Sequence, residues 1–260
     1  MAQFVESFKA CITAYMKLLL AICFVLQFAS CKTKTNPAPV TIMQFADTVN
    51  LPKDSLAFYF PLNSFSDWPS SDSFKQNWYS SALYSFKEPL LSKNFVGHNI
   101  YRFLWLRSFH RPVVFTLHQN QDQVWLNTKI LDRQPRFYDH RIGGVPKEEQ
   151  EEFIKEGYFV DKKEPDLLVG IADRKANIIY NNNISLSEQE WNQYEQLLLK
   201  ANFWKLPSNI DDGSTDGASW IIEAHFKNKY HIVDYHSPRG DYKELGLFLI
   251  RLSGLQEEIY

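Results

Sequence analysis

The chain has 260 residues, 28 basic and 30 acidic, for a formal charge of −2. A balance so near neutral excludes the electrostatic footprint of a nucleic-acid binder. Apolar residues make up 45% of the chain and aromatics 15%, enough to fill one large core or two small ones.

At the N-terminus, Lys17 is followed by the apolar run Leu18 to Leu26 and then by Gln27-Phe28-Ala29-Ser30-Cys31. A membrane-spanning helix needs about 20 apolar residues. This run is shorter and has the form of a signal-peptide core. The small pair Ala29-Ser30 suits a peptidase that must approach the backbone closely. These residues resemble the lipobox of bacterial lipoproteins, with Phe28 where that family usually has a leucine-like side chain. The resemblance implies cleavage before Cys31, a diacylglycerol on its sulfur and often a further acyl chain on its nitrogen. Several chains together anchor stably where one would not. Met16 directly precedes Lys17, so residues 1–15 read as an upstream over-extension of a signal peptide of usual form. Of Cys11, Cys23 and Cys31, cleavage leaves the lipidated one alone, which removes disulfides and cysteine-held metals. Lys32 to Pro39 is polar and proline-bearing and reads as a tether. The expected organisation is a signal peptide over 1–30, a lipidated flexible segment over 31–50 and a single globular domain over 51–260. Acidic residues just after the cysteine, which some surface-exported lipoproteins carry, are missing. By analogy that places the protein at the outer membrane, facing the periplasm.

The first predicted element of the domain is a strand, Leu56-Ala57-Phe58-Tyr59-Phe60. Phe74, Trp78, Ala82 and Phe86 recur every four residues and predict a helix from near Asp72, stopped by Pro89. Tyr101 to Phe109, Val113 to His118 and Val124 to Leu131 read as an antiparallel meander, with Gln119 to Gln123 as the loop between the last two. Trp125, Asn127 and Lys129 alternate with Val124, Leu126, Thr128 and Ile130, the pattern of a half-buried strand. Residues 135–165 are polar, with Gly143-Gly144 and a charged run from Lys147 to Glu152, and predict a solvated loop with one short helix. Leu167 to Ile171 and Asn177 to Tyr180 suggest another short hairpin. Ser187 and Glu190 form a capping box, and Leu186 and Trp191 a hydrophobic staple. Trp191, Tyr194, Leu197, Leu198 and Ala201 line one face of the helix that follows, and Asn202 is a left-handed stop. Asp241 and Glu244 predict the start of a last helix that Gly254 ends. Between these helices lies the hairpin Trp220–Phe226 and Tyr230–Tyr235. The fold class is α+β, an antiparallel sheet with helices packed mainly on one side.

Chemistry concentrates in the C-terminal third. Asp211 to Gly217 lacks the alternating acidic spacing and distal glutamate of a calcium loop, and an Asp- and Gly-rich turn is the plainer reading. Glu223 and His225, two apart on one strand, share a face. A hairpin loop of two or four residues groups them with Tyr230, Ile232 and Asp234 and sends Trp220, Ile222, Ala224 and Phe226 to the core with Val233 and Tyr235. A three-residue loop flips the partner strand and brings His231 to them instead. The first arrangement has the cleaner apolar face. Asp216, Glu223, His225 and His231 are the candidate catalytic residues, as general acid and base or as metal ligands. No known metal, nucleophile, phosphate-loop or dinucleotide motif accompanies them, so no metal and no cofactor is assigned. A solvated outer sheet face is the plain alternative. A recognition surface is the third, with Arg102, Arg107, Asp234 and His236 as candidate binding residues. Arg102 and Arg107 fall on opposite faces of one strand, so at least one must reach the core or a pocket. A buried arginine needs a carboxylate, for which Asp216 and Glu223 are candidates. One that is presented outward can meet an anionic ligand.

Tyr101 to Pro112, the Ser187 helix ending in Asn202-Phe203-Trp204-Lys205-Leu206-Pro207, the run Asp216 to Glu223, Tyr230-His231 and Ser237-Pro238 together are similar to a group of uncharacterised bacterial proteins. The resemblance spans roughly residues 75–255, implies one integrated domain and carries no activity. The region around Ile142-Gly143-Gly144 departs from it in being longer and more polar. The expected function is a membrane-anchored cell-envelope lipoprotein acting as a binding module. Its partners would be the membrane through Cys31 and an envelope protein or small ligand. The alternative is a hydrolase or metal-dependent enzyme built on the Asp/Glu/His cluster of the hairpin.

Overall fold

The meander expected between Tyr101 and Leu131 forms the middle of a seven-stranded sheet. The computed structural model describes residues 57–65, 69–93, 95–121, 123–137, 140–155, 158–170, 175–211 and 217–259, all within the unit Phe45–Tyr260. The expected signal peptide, Cys31, the expected tether and Asp216 lie outside the described residues. In chain order the elements are α1 (Pro69–Ser85), β1 (Asn99–Arg107), β2 (Val113–Asn120), β3 (Gln123–Leu131), β4 (His140–Gly143), α2 (Lys147–Lys155), β5 (Phe159–Val160), β6 (Leu167–Gly170), β7 (Ile178–Leu186), α3 (Glu188–Lys200), a 3-10 turn (Phe203–Lys205), β8 (Asn209–Ile210), β9 (Ala218–Phe226), β10 (Lys229–His236) and α4 (Gly240–Ser253). The large sheet has the order β7-β3-β2-β1-β9-β10-β8. Its pairs are antiparallel except β10 with β8, which is parallel.

Alternation along these strands makes two apolar faces. On the first, Tyr101, Phe103, Trp105, Leu126, Trp220, Ile222 and Val233 pack against Trp191, Tyr194 and Leu198 of α3 and Leu245, Leu249 and Ile250 of α4. Tyr242 fastens α4 to the hairpin, its hydroxyl donating to the carbonyls of Val233 at 2.8 Å and Trp220 at 3.1 Å. The second face presents Leu104, Leu106, Val114, Ile221 and Ile232 and is covered by Tyr79, Ala82 and Leu83 of α1 with Tyr59, Phe60, Phe65 and Phe86. The fold is thus α+β, and two of the three helices that pack on the sheet share one side. The third, α1, turns the expected half-buried face of β3 into a second interior. Trp125 and Asn127, further along the same face of β3, are buried by other groups, Trp125 against His98 and His118 and Asn127 against Asn181 and Asn183 of β7.

The ends of the helices follow local chemistry in part. At α3 the capping box forms: Glu190 N–H donates to Ser187 Oγ at 3.3 Å and Ser187 N–H to Glu190 Oε2 at 2.6 Å. Gly254 ends α4 at φ 73°. The expected cap by Asp241 does not form. Arg239 holds that position without a side-chain bond, and Asp241 instead pairs with Lys200 of α3 at 2.8 Å.

Three further expectations are corrected. Ala57 to Phe60 is irregular rather than a strand. The Tyr59 N–H donates to Ser80 Oγ at 3.0 Å, and Phe60 and Phe65 meet Tyr79 edge-on, so side-chain anchoring on α1 replaces strand pairing. Leu167–Gly170 and the segment from Asn177 do not pair with each other. β6 joins β4 and β5 in a separate three-stranded sheet, whereas β7 runs beside β3. Residues 135–165 hold β4 and β5 besides the short helix α2. A short apolar run signals a strand but not its partner.

Candidate functional site

The hairpin loop decides which polar residues meet. Phe226 pairs with Lys229, so the loop is the two residues Lys227-Asn228, and Glu223 lies opposite Ile232. Glu223 and His225 therefore share the α1-covered face with Tyr230 and Asp234, as the even-loop reading has it. Arg102 sits on that face beside Glu223 on one side and Thr116 on the other. Under α1 these groups are interior, and the solvated outer face that was the plain reading is not found.

A closed ion network results. Nε and Nη2 of Arg102 both donate to Oε2 of Glu223, the former at 2.7 Å, and Nη1 donates to the Pro89 carbonyl at 2.8 Å. Tyr230 donates its hydroxyl to the other Glu223 oxygen at 2.8 Å. Glu88, just past the end of α1, accepts from Lys129 at 2.7 Å and from Thr116 at 3.3 Å and lies 3.7 Å from Arg102. Two cations and two carboxylates thus cancel, as burial demands, since each unpaired ion costs several kcal/mol to desolvate. Burial pushes the Glu223 carboxyl up, against the pull of Arg102 and Tyr230. Burial also raises Glu88, but Lys129 and Arg102 together outweigh it and hold it below the usual carboxylate range.

Asp234 anchors a second cluster on the same face. It is fully buried, and its Oδ2 accepts from Lys75 at 2.8 Å and from Tyr79 at 3.0 Å. Lys75 also reaches Asn209 Oδ1 at 2.7 Å. Burial raises the Asp234 carboxyl, and Lys75 opposes it. The Tyr79 hydroxyl lies 3.1 Å from Ser219 Oγ, which is 3.5 Å from His236 Nδ1. The hydroxyl–imidazole approach invites a nucleophile reading, but Ser219 is buried, with Tyr79 of α1 against its hydroxyl.

Of the remaining candidates, His225 meets the Glu223 network through the ring of Tyr230, and His231 and Arg107 lie elsewhere. His225 is buried, edge-on to Phe95 and Tyr230, and burial lowers its pKa. His231 is on the opposite face between Phe203 and Trp204, likewise lowered by burial. Arg107 is fully buried over the Trp105 ring and, among the described residues, pairs not with Glu223 but with Glu257 of the C-terminal tail, at 2.9 Å. Among the described residues no group of three or more His, Cys, Asp or Glu side chains comes together to hold a metal.

An open cavity of about 380 Å³ lies at the C-terminal end of α1, lined by Tyr59, Tyr84, Ser85, Lys87, Lys175, Ala176 and Asn177. Its walls are tied down. The Ala176 N–H donates to Ser85 Oγ at 3.1 Å, and both the N–H and the side-chain amide of Asn177 donate to Asp132, at 2.9 and 2.8 Å. Tyr59, on the inner wall, donates to the Glu88 carbonyl at 3.0 Å, which joins the cavity to the ion network.

Sequence reasoning missed Lys75, Glu88 and Lys129 as partners, and it missed the cavity. One signal was present. Lys129 and Asn127 share their face with Trp125, and a tryptophan on a face assigned to solvent hints at a cover. The fold and these sites define an α+β protein with a sheet roofed on both sides and a buried, neutral ion network on one of them. Comparison with protein-family models, with curated proteins and with solved structures finds no match.

Proposed function

We propose that this protein is a lipid-anchored binding module of the cell envelope. Acyl chains on Cys31 hold it at the outer membrane, facing the periplasm, and the cavity at the end of α1 takes a small anionic ligand with an apolar body. The observation that carries the binding reading is the cavity lining, which joins two lysines and two tyrosine rings with Ser85 and Asn177 and, among the described residues, includes no carboxylate. A concave site of this size with an apolar wall and a few polar groups is the usual form of a small-molecule site. The dipole of α1 opposes an anion at this end by about 0.3–1 kcal/mol. Charge-assisted bonds from two ammonium groups, strengthened as a ligand displaces water, exceed that cost. A hydrolase on the hairpin is the lesser reading, because Glu223 is engaged by Arg102 and Tyr230 while His231 sits across the sheet. The anchor rests on the run from Lys17 to Cys31. Among the described residues no helix is long and apolar enough to cross a membrane.

Two experiments test this reading. Cys31→Ala should move the protein from the membrane to the soluble fraction, and unchanged membrane retention overturns the anchor. Titration of the detergent-purified protein with benzoate and phenyl phosphate, with benzamide as neutral control, should show saturable binding of the anions, weakened at least tenfold by Lys87→Glu. No saturable binding, or binding indifferent to that substitution, overturns the cavity assignment.

A further inference from the structure

The two margins of the large sheet are finished differently. At one, β8 is two residues long and leaves little open backbone. At the other, β7 is nine residues long, about 30 Å of strand, and no described element but β3 runs beside it. Natural edge strands are blunted by lysine, proline, bulges or brevity. Ile178 to Leu186, Ile-Ile-Tyr-Asn-Asn-Asn-Ile-Ser-Leu, contains no charge and no proline, and its one register irregularity with β3 is confined to its first residues, between the Ile178 and Tyr180 pairs.

Its side chains are also arranged for continuation. The Asn127 side-chain amide donates to Oδ1 of Asn181 and to Oδ1 of Asn183, each at 2.8 Å. Asn181 and Asn183 thus carry the polar ladder of Asn127 out onto the edge strand. On the other face Tyr180, Ile184 and Leu186 extend the first core out to that margin and are only partly buried.

We propose that β7 is the interface for a second copy of this chain. The two β7 strands pair antiparallel about a two-fold axis at Asn182 and continue the sheet across both protomers. This register sets Asn181 against Asn183 of the second copy, twice, so the polar ladder from Asn127 closes on itself. It also sets Tyr180 against Ile184 of the second copy, an aromatic–β-branched pair of the kind that stabilises antiparallel strands. Antiparallel direction brings the Lys175 end of one strand to the Glu188 end of the other, so exposed opposite charges flank the pair. One patch that complements itself is what an isologous two-fold interface requires.

Disulfide trapping in isolated membranes tests the proposal on the full chain. Residues directly opposite in an antiparallel pair have Cα atoms about 4.5–5.5 Å apart, within disulfide range. Asn182→Cys should oxidise to a covalent species of twice the chain mass. Leu199→Cys, exposed on α3 and carrying the same native cysteines, should not. Asn182→Lys, which sets two ammonium groups face to face at an exposed position, should halve the mass of the detergent-solubilised protein by light scattering and leave its circular dichroism unchanged. A monomeric wild-type protein, trapping no better than in the control, or trapping to a species of any other mass overturns the proposal.

Discussion

Arg102→Met tests whether the ion network holds the α1 layer to the sheet. The arginine makes two bonds to Glu223 and one to the Pro89 carbonyl. Its loss leaves Glu223, 1% exposed, with the Tyr230 hydroxyl as its donor among the described groups. Glu88 keeps Lys129, so one carboxylate is orphaned rather than two. Breaking a buried pair from one side costs about 3–5 kcal/mol. With a urea slope of about 2 kcal/mol per molar, the midpoint at pH 7.5 should fall by about 1.5–2.5 M, followed by tryptophan fluorescence. The cost should depend on pH in a defined sense. An orphaned Glu223 has a folded-state pKa above its unfolded value of 4.5, so the penalty is nearly absent below that pH and grows as pH rises toward neutrality. Arg102→Met with Glu223→Met removes both charges and should regain at least half of the loss, with the Pro89 carbonyl and Tyr230 hydroxyl still unpaired. A loss under about 1 kcal/mol, or one indifferent to the presence of Glu223, would refute the reasoning.

Gly246→Ala should lower stability although alanine is the better helix former by about 1 kcal/mol, because a Cβ there would stand 2.2 Å from the Trp220 ring and 2.8 Å from that of Phe103. Such overpacking costs about 1–3 kcal/mol or more, and an equal or higher melting temperature would contradict it. His118, stacked on Trp125 at 4.6 Å with Nδ1 2.9 Å from His98 Nε2, is held neutral by burial, well below its usual 6.5. The unfolded chain takes up a proton below that pH and the folded one does not, so stability is lost as pH falls from about 6.5, by up to about 1.4 kcal/mol per pH unit. His118→Phe should flatten urea midpoints between pH 7 and pH 5 relative to the wild type, and parallel profiles would sink the assignment.

Local features that carry their own geometry were legible in the chain. The four-residue spacing from Phe74 places α1, the meander strands fall where alternation puts them, and the capping box at Ser187 and the glycine end at Gly254 both form, because the groups involved are within four residues of each other. The face shared by Glu223, His225, Tyr230 and Asp234 was one of two the chain allowed, preferred for its cleaner apolar side, and the two-residue loop is what selects it. Asp241 shows where such reading stops. It has the spacing of a cap, yet a lysine of another helix engages it.

What the chain by itself determined is therefore the helices α1, α3 and α4, the strands of the meander and the C-terminal hairpin with their alternating faces, and the run before Cys31 that resembles a lipoprotein signal. Glu223 was one of two carboxylates the chain offered to a buried arginine, but tertiary structure alone decided that α1 covers the polar face, that Arg102 takes Glu223 and Lys129 takes Glu88, and that Lys87 and Lys175 meet at one cavity. Those partners lie 121, 41 and 88 residues apart, and alternation specifies which face a side chain takes but not what comes to rest on it. Desolvation then completes the choice, because a charge beneath a helix persists only where the fold brings its counter-charge to it.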